Sequence, residues 1–298
     1  MRTLAALVLV GVAALAPGRA RAQALSLTAG VSGYADAKNV ALKAPQGVAC
    51  TADGRIVVAD TGNGRLVPFT LKDGVLAPGQ EIRFGELGFP TRVQIDSRGN
   101  VLVFDQKARR IVRVDEQGKF GGVVSPKGVP KGSGWFPVAF KVDARDHLFV
   151  LEVAGARVVE LDGAGAFVRQ VPVPAGLSFS DIAVDPKGVI YGADQKSATV
   201  YAAGPEGEFT PFSRSLRETM SFPGYLTVTE AGLVVLVDEH GNGLVVLGRD
   251  GTFLGRRLSI GWTEGLVYYP QQICMDSAGD VIVADRGNNR LQVFATAK

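Results

Sequence analysis

Six times along this 298-residue chain an acidic residue stands fifteen positions after a starting mark. The marks are Pro45, Pro90, Pro137, Phe179, Pro223 and Pro270, spaced 42 to 47 residues apart, and the acids are Asp60, Asp105, Glu152, Asp194, Asp238 and Asp285. Nine residues after each mark comes a turn residue: Gly54, Gly99, Asp146, Gly188, Gly232 or Gly279. Short β-branched runs fill the intervals, such as Ile56-Val57-Val58-Ala59 and Val281-Ile282-Val283-Ala284, and they read as strands. A third run follows, as at Arg65 to Phe69, and then a glycine turn with an aromatic two residues on, as at Gly118 and Phe120 or Gly251 and Phe253. A unit of this size buries its apolar faces only against its neighbours. The spacing therefore predicts an all-β protein, a six-bladed β-propeller of four-stranded antiparallel blades. The 38 glycines and 15 prolines, with no Gly-X-Y period, suit so turn-rich a chain.

The fine grain of the repeat carries a resemblance. Pro45-Gln46-Gly47-Val48-Ala49, Gly54 through Asp60, and Asn63-Gly64-Arg65-Leu66 resemble the NHL repeat, as does Gly279 through Phe294 with its Asp285-Arg286-Gly287-Asn288-Asn289-Arg290 turn. In the middle units Arg110 and Arg157 keep the basic position, whereas Thr199 and Gly243 replace it. Physically, the acid ends the second strand, the Asn is expected to take a left-handed turn, and the Arg to reach back to bond carboxylates bidentately. That is a structural role. The resemblance implies an interaction platform.

Ring closure is readable from the ends. The sixth unit runs out of chain before a fourth strand, and Leu25 to Val31 alternates apolar with small or polar residues ahead of the first mark. This segment is expected to complete blade six and remove an unpaired edge.

Upstream, Arg2, the apolar run Leu4 to Ala16, and Ala20-Arg21-Ala22 read as a signal peptide over 1–22, cut between Ala22 and Gln23. A single propeller then occupies 23–298, exported to the periplasm or secreted, with no membrane span in the mature chain. Removing Arg2, Arg19 and Arg21 leaves 29 basic against 29 acidic residues, so no charge favours nucleic acid.

Within each first strand, positions three and five after the mark are apolar throughout, as in Val48, Cys50, Ile273 and Met275, and are expected to pack between blades. Positions two and four are mixed. By the period-two rule they are expected to line a polar central channel through Arg92, Gln94, Lys141, Asp181, Tyr225, Gln272 and Cys274. Cys50 and Cys274 thus fall in different classes, which favours two buried free thiols over a bridge. The two histidines, His147 and His240, sit in turns and read as solvated, too few for a zinc site, while Asp181 alone is too few hard oxygens for calcium. No catalytic residue, metal site or cofactor is assigned.

A binding surface remains. Phe89, Phe136, Phe222 and Tyr269 each precede a mark, and the longest inter-blade connections add Trp135, Trp262 and Tyr268 on the face of the Asp-x-x-Asn-x-Arg turns. The sequence is read as a monomeric, non-enzymatic propeller binding a protein or other macromolecule there. The runner-up is a lyase or hydrolase working at the channel mouth through Arg92, Asp181 and Tyr225.

Overall fold

The computed structural model describes residues 25–130 and 134–296. These residues form six antiparallel sheets of four strands, five of them wound in sequence order from an innermost first strand to an outer fourth. Blade 2 shows the pattern: Pro90–Ile95, Val101–Asp105, Arg110–Val114 and Phe120–Val123. The expected signal peptide and its cleavage site lie outside the described residues. No helix among the described residues is long and apolar enough to cross a membrane.

The acid fifteen residues after each mark is the last residue of its second strand in all six blades. Where an arginine follows in the repeat, the two are register partners across the hairpin: Asp60 with Arg65, Asp105 with Arg110, Glu152 with Arg157, Asp285 with Arg290. Second and third strands carry β-branched and aliphatic residues on both faces because both faces are covered. Val57, Val58, Val67, Val283 and Leu291 are wholly buried, each contributing about 1.5–3 kcal/mol of hydrophobic free energy.

Leu27–Gly33 closes the ring, pairing antiparallel with Arg290–Thr296 so that blade 6 reads N-terminal strand, third, second, first. The strand lies two residues later than the alternation predicts. Leu25 precedes it instead, buried in the core between blades 5 and 6.

Period-two reasoning misplaces one feature. A blade stands edge-on to the channel, so the alternate side chains of its first strand point at the two neighbouring blades. Six apolar clusters fill the six junctions. Ala49 of blade 1 packs with Val93 and Ile95 of blade 2, Ala183 of blade 4 with Leu226 and Val228 of blade 5, and Tyr225 of blade 5 with Ile273 and Met275 of blade 6. Ala49, Ala183 and Tyr225, at positions two and four, thus pack toward the next blade and positions three and five toward the previous one, while Arg92 and Gln272 at position two reach across the channel.

Membership of opposite classes is therefore what brings Cys50 and Cys274 together. Cys274 looks forward from blade 6, Cys50 looks back from blade 1, and they are joined as a disulfide with Cα atoms 5.9 Å apart. The expectation of two free thiols is corrected. The junction between the first and last blades is tied by the bridge near the channel and by Leu27–Gly33 at the rim.

Candidate functional site

The acid of each repeat does more than end a strand. Its carboxylate accepts backbone N–H groups from the loop leading into the first strand. Asp105 takes the amides of Gly88 and Phe89 at 3.0 Å each, Glu152 that of Phe136 at 3.2 Å, Asp238 that of Phe222 at 2.9 Å and Asp285 that of Tyr268 at 2.8 Å. These buried acids thus position the aromatics on one face of the ring. For Asp285, burial pushes the carboxyl above its ordinary range although the Tyr268 amide, Asn288 and Arg290 pull the other way.

The asparagine and arginine of the box behave differently from expectation. Asn63 and Asn288 sit in a 3-10 turn, and the left-handed residue is the next one, Gly64 or Asn289. The asparagine side chain spans two segments. Asn288 donates to Asp285 Oδ2 at 2.8 Å and to the Gly261 carbonyl at 3.0 Å. Arg290 is not bidentate on the carboxylate. Its Nε donates to Asp285 Oδ2 at 2.8 Å, while Nη1 and Nη2 donate to the carbonyls of Trp262, Thr263 and Leu266 at 3.3, 2.9 and 2.7 Å. In blade 1 Arg65 likewise bonds Asp60 through Nε at 2.6 Å, with Asp36 and Glu81 taking Nη1. A buried guanidinium therefore fixes the loop that carries Trp262.

That loop presents its tryptophan to solvent: Trp262 is 72% exposed. Its ring lies 5.8 Å from Tyr268, Tyr268 lies 4.7 Å from Tyr269, Tyr269 lies 6.2 Å from His240, and His240 stacks on Phe222 at 5.0 Å. Five rings thus run without a gap over blades 5 and 6. The backbone is shaped for it. Asn242 adopts a left-handed conformation and its Oδ1 accepts the Tyr269 amide at 2.7 Å, which holds Tyr269 itself at φ +49°, rare for a bulky side chain.

Sequence reasoning placed Trp262, Tyr268, Tyr269 and Phe222 on this face, and the structure brings them together. It missed His240, which is exposed but lies between two aromatic rings. The available signal was its position one turn after Asp238 and hence beside the residue Asp238 holds. Phe89 and Phe136 are exposed on the same side in blades 2 and 3, outside the row, and Arg109 lies over Phe136 at 5.6 Å. Trp135 differs: it is half-buried and packs against the core between blades 2 and 3. His147 is half-buried, its Nδ1 2.7 Å from Glu160 Oε1.

The polar residues assigned to the channel tie blades across it. Arg92 of blade 2 donates to the Gly224 carbonyl of blade 5 at 2.9 Å. Gln272 of blade 6 bonds both the amide and the carbonyl of Val93, at 3.1 and 2.6 Å. Lys141 Nζ lies 3.5 Å above the Tyr225 ring and 3.5 Å from Asp181 Oδ2, which also accepts the Leu226 amide. A cavity of about 660 Å³ remains on the opposite side, where Gln94, Tyr225, Gln272 and Cys274 line it together with Cys50, Ile95 and Met275 from the other class.

Fold and turns together are those of a six-bladed β-propeller with NHL-type repeats in two of its blades. The NHL repeat model matches residues 42–69 and 267–294, which are blades 1 and 6, the two that share the bridged junction. The chain is 39% identical over 75 residues to human NHL repeat-containing protein 3 and 40% identical over the same length to the mouse protein, a match spanning 24% of this chain and 22% of those proteins. Among solved structures, a gluconolactonase from Xanthomonas campestris superposes with TM-score 0.65 at 15% identity, covering 91% of this chain and 98% of that one. A streptogramin B lyase gives 0.62 at 14%, covering 86% and 94%, and a chain from a nidogen–laminin complex 0.58 at 15%, covering 72% and 80%. At such identities the likeness is one of fold.

Proposed function

We propose that this chain is an exported, non-enzymatic binding module whose docking surface is the aromatic row of blades 5 and 6, and that its partner is a protein. The observation that carries this is Trp262, largely exposed at the end of five contiguous rings on a loop held by the buried Arg290 and the half-buried Asn288. A tryptophan fixed before the partner arrives loses little conformational freedom on binding, and this is what makes an effective anchor. Balanced charge on the mature chain leaves apolar and aromatic contact as the main attraction. Export is supported by the 1–22 segment and by a disulfide, a bond that persists in oxidising compartments.

The runner-up, catalysis at the channel mouth, draws on the lyase and lactonase neighbours and on Asp181, whose buried Oδ1 lacks a hydrogen-bond partner among the described residues. Against it, Arg92 and Lys141 are committed to blade-to-blade contacts, and Lys141 covers one face of Tyr225.

Hydrogen exchange on the protein bound to a partner purified from its source cell separates the two. Docking on the row slows exchange in 238–242 and 259–269. Protection confined to the first strands around the channel would overturn the proposal in favour of the runner-up.

A further inference from the structure

The cavity of about 660 Å³ opens on the face opposite the aromatic row, between the turns that join first and second strands in blades 1, 5 and 6. Among the described residues, blades 3 and 4 contribute nothing to its lining, so it lies off the ring axis. Its volume is that of a small-molecule site. The inner wall is apolar and polarisable: Ile95, Val228, Leu233, Met275 and the Cys50–Cys274 bridge, with the Gln94 amide and Thr227 hydroxyl among them.

Charge is graded along it. The only ionised side chains among the described lining residues are two carboxylates at the mouth, Glu230 and Asp276, and no Lys, Arg or His lines the wall. Asp276 Oδ1 accepts the amides of Ala278 and Asp280 at 2.9 Å each, which fixes that carboxylate at the rim. At the inner end stands Tyr225, and beyond it the cations Arg92 and Lys141, which lie 5.6 and 3.5 Å from its ring centre. A ligand carrying positive charge is attracted at the mouth and repelled from the inner end. An anion meets the reverse, but reaches Arg92 and Lys141 only past the carboxylates and the Tyr225 ring.

We infer that this cavity binds a small organic cation with its ammonium group between Glu230 and Asp276 and an apolar body reaching toward Tyr225. The site is independent of the aromatic row and uses the other face of the ring.

Three probes with one body and three charges test this by calorimetry on the mature protein: 4-phenylbutylamine, 4-phenylbutanol and 4-phenylbutyrate. The amine should bind at least tenfold more tightly than the alcohol, and the carboxylate most weakly. The surface pair Glu230→Gln with Asp276→Asn, which keeps both side-chain acceptors, should bring amine and alcohol within about threefold of each other. Thr227→Phe, which fills the cavity, should abolish binding of the amine. The inference is overturned if none of the probes binds, if the carboxylate binds as tightly as the amine, if the amine's advantage survives loss of both carboxylates, or if binding survives Thr227→Phe.

Discussion

Blades 1 and 6 carry acid, asparagine and arginine of the repeat within one turn, whereas blades 4 and 5 keep only the acid. Yet all six acids do the same work, ending the second strand and holding the incoming loop by its amides. Blade 5 shows how the missing arginine is replaced. Gly243 stands where the arginine would be, and a Cβ there would come within 3.1 Å of Arg256, which reaches in from the fourth strand to bond Asp238 at 2.6 Å and the Gly241 carbonyl at 2.9 Å. Among the described residues, blade 4 places no cation in direct contact with its acid. Asp194 is held by the amides of Ser178 and Ser197 and by the Ser197 hydroxyl. The acid is what the fold requires, and the guanidinium is one of several ways to keep it company. Blades 1 and 6 differ because their arginines are fully buried, and because the junction between them joins the first and last described strands of the ring.

The largest effect should come from breaking that junction at its rim. Deleting residues 23–35 exposes the edge of Arg290–Thr296 and the apolar faces beside it, at a cost of several kcal/mol in a urea melt and with visible aggregation. A truncated protein that melts within a degree or two of the protein that keeps this strand would show that the strand does not close the ring.

Next in size is the contrast between the two arginines. Arg290→Met strands Asp285 and three loop carbonyls in the interior and should cost about 3–5 kcal/mol. Arg256→Met, at a side chain one-third exposed, should cost about 1–2 kcal/mol. Equal losses would make the two pairs equivalent and remove the distinction drawn between the blades.

Replacing both cysteines with serine should lower stability by about 2–4 kcal/mol, since the bridge links positions far apart in sequence. A loss below about 1 kcal/mol would mean that the N-terminal strand holds the junction alone.

The smallest effect is one of sign with pH. At Asp194 burial acts to raise the carboxyl, but the Ser178 and Ser197 bonds outweigh it and hold it below the usual range. Its contribution is therefore present above the unfolded pKa of about 3.9 and is lost as pH falls through the lower folded value. Asp285, raised by burial, has the opposite sign: its protonation favours the folded state, and its site gains as pH falls. Asp194→Asn should thus flatten the fall in melting temperature between about pH 5 and 3, and Asp285→Asn should steepen it. The same change in both variants would contradict the assignment.

Much of this architecture was legible because the repeat ties each acid to a strand end and each glycine to a hairpin, local relations that a fixed spacing records. The number of blades, the strand order, the closing segment to within two residues, and the loop-face position of Trp262, Tyr268, Tyr269 and Phe222 all follow from it. What was not legible depends on how strands face one another in three dimensions. Period two says that Cys274 and Cys50 point to opposite sides of their sheets; only the edge-on stance of a propeller blade makes opposite sides of adjacent sheets meet. His240 hides for a similar reason, because its ring partners, Phe222 and Tyr269, come from two different blades. Trp135 and Trp262 look alike in sequence, each after a glycine in a long connection, but one leans on a junction core and the other does not.

That last pair gives the most direct test. Trp262→Ala should melt within about two degrees of the unsubstituted protein and lose about 2 kcal/mol or more of affinity for the purified partner, a thirtyfold change. Trp135→Ala should lower stability by about 3 kcal/mol and leave the affinity of the folded protein unchanged. If Trp262→Ala binds as tightly as the unsubstituted protein, or if the loss of affinity follows Trp135 instead, the row over blades 5 and 6 is not the docking surface.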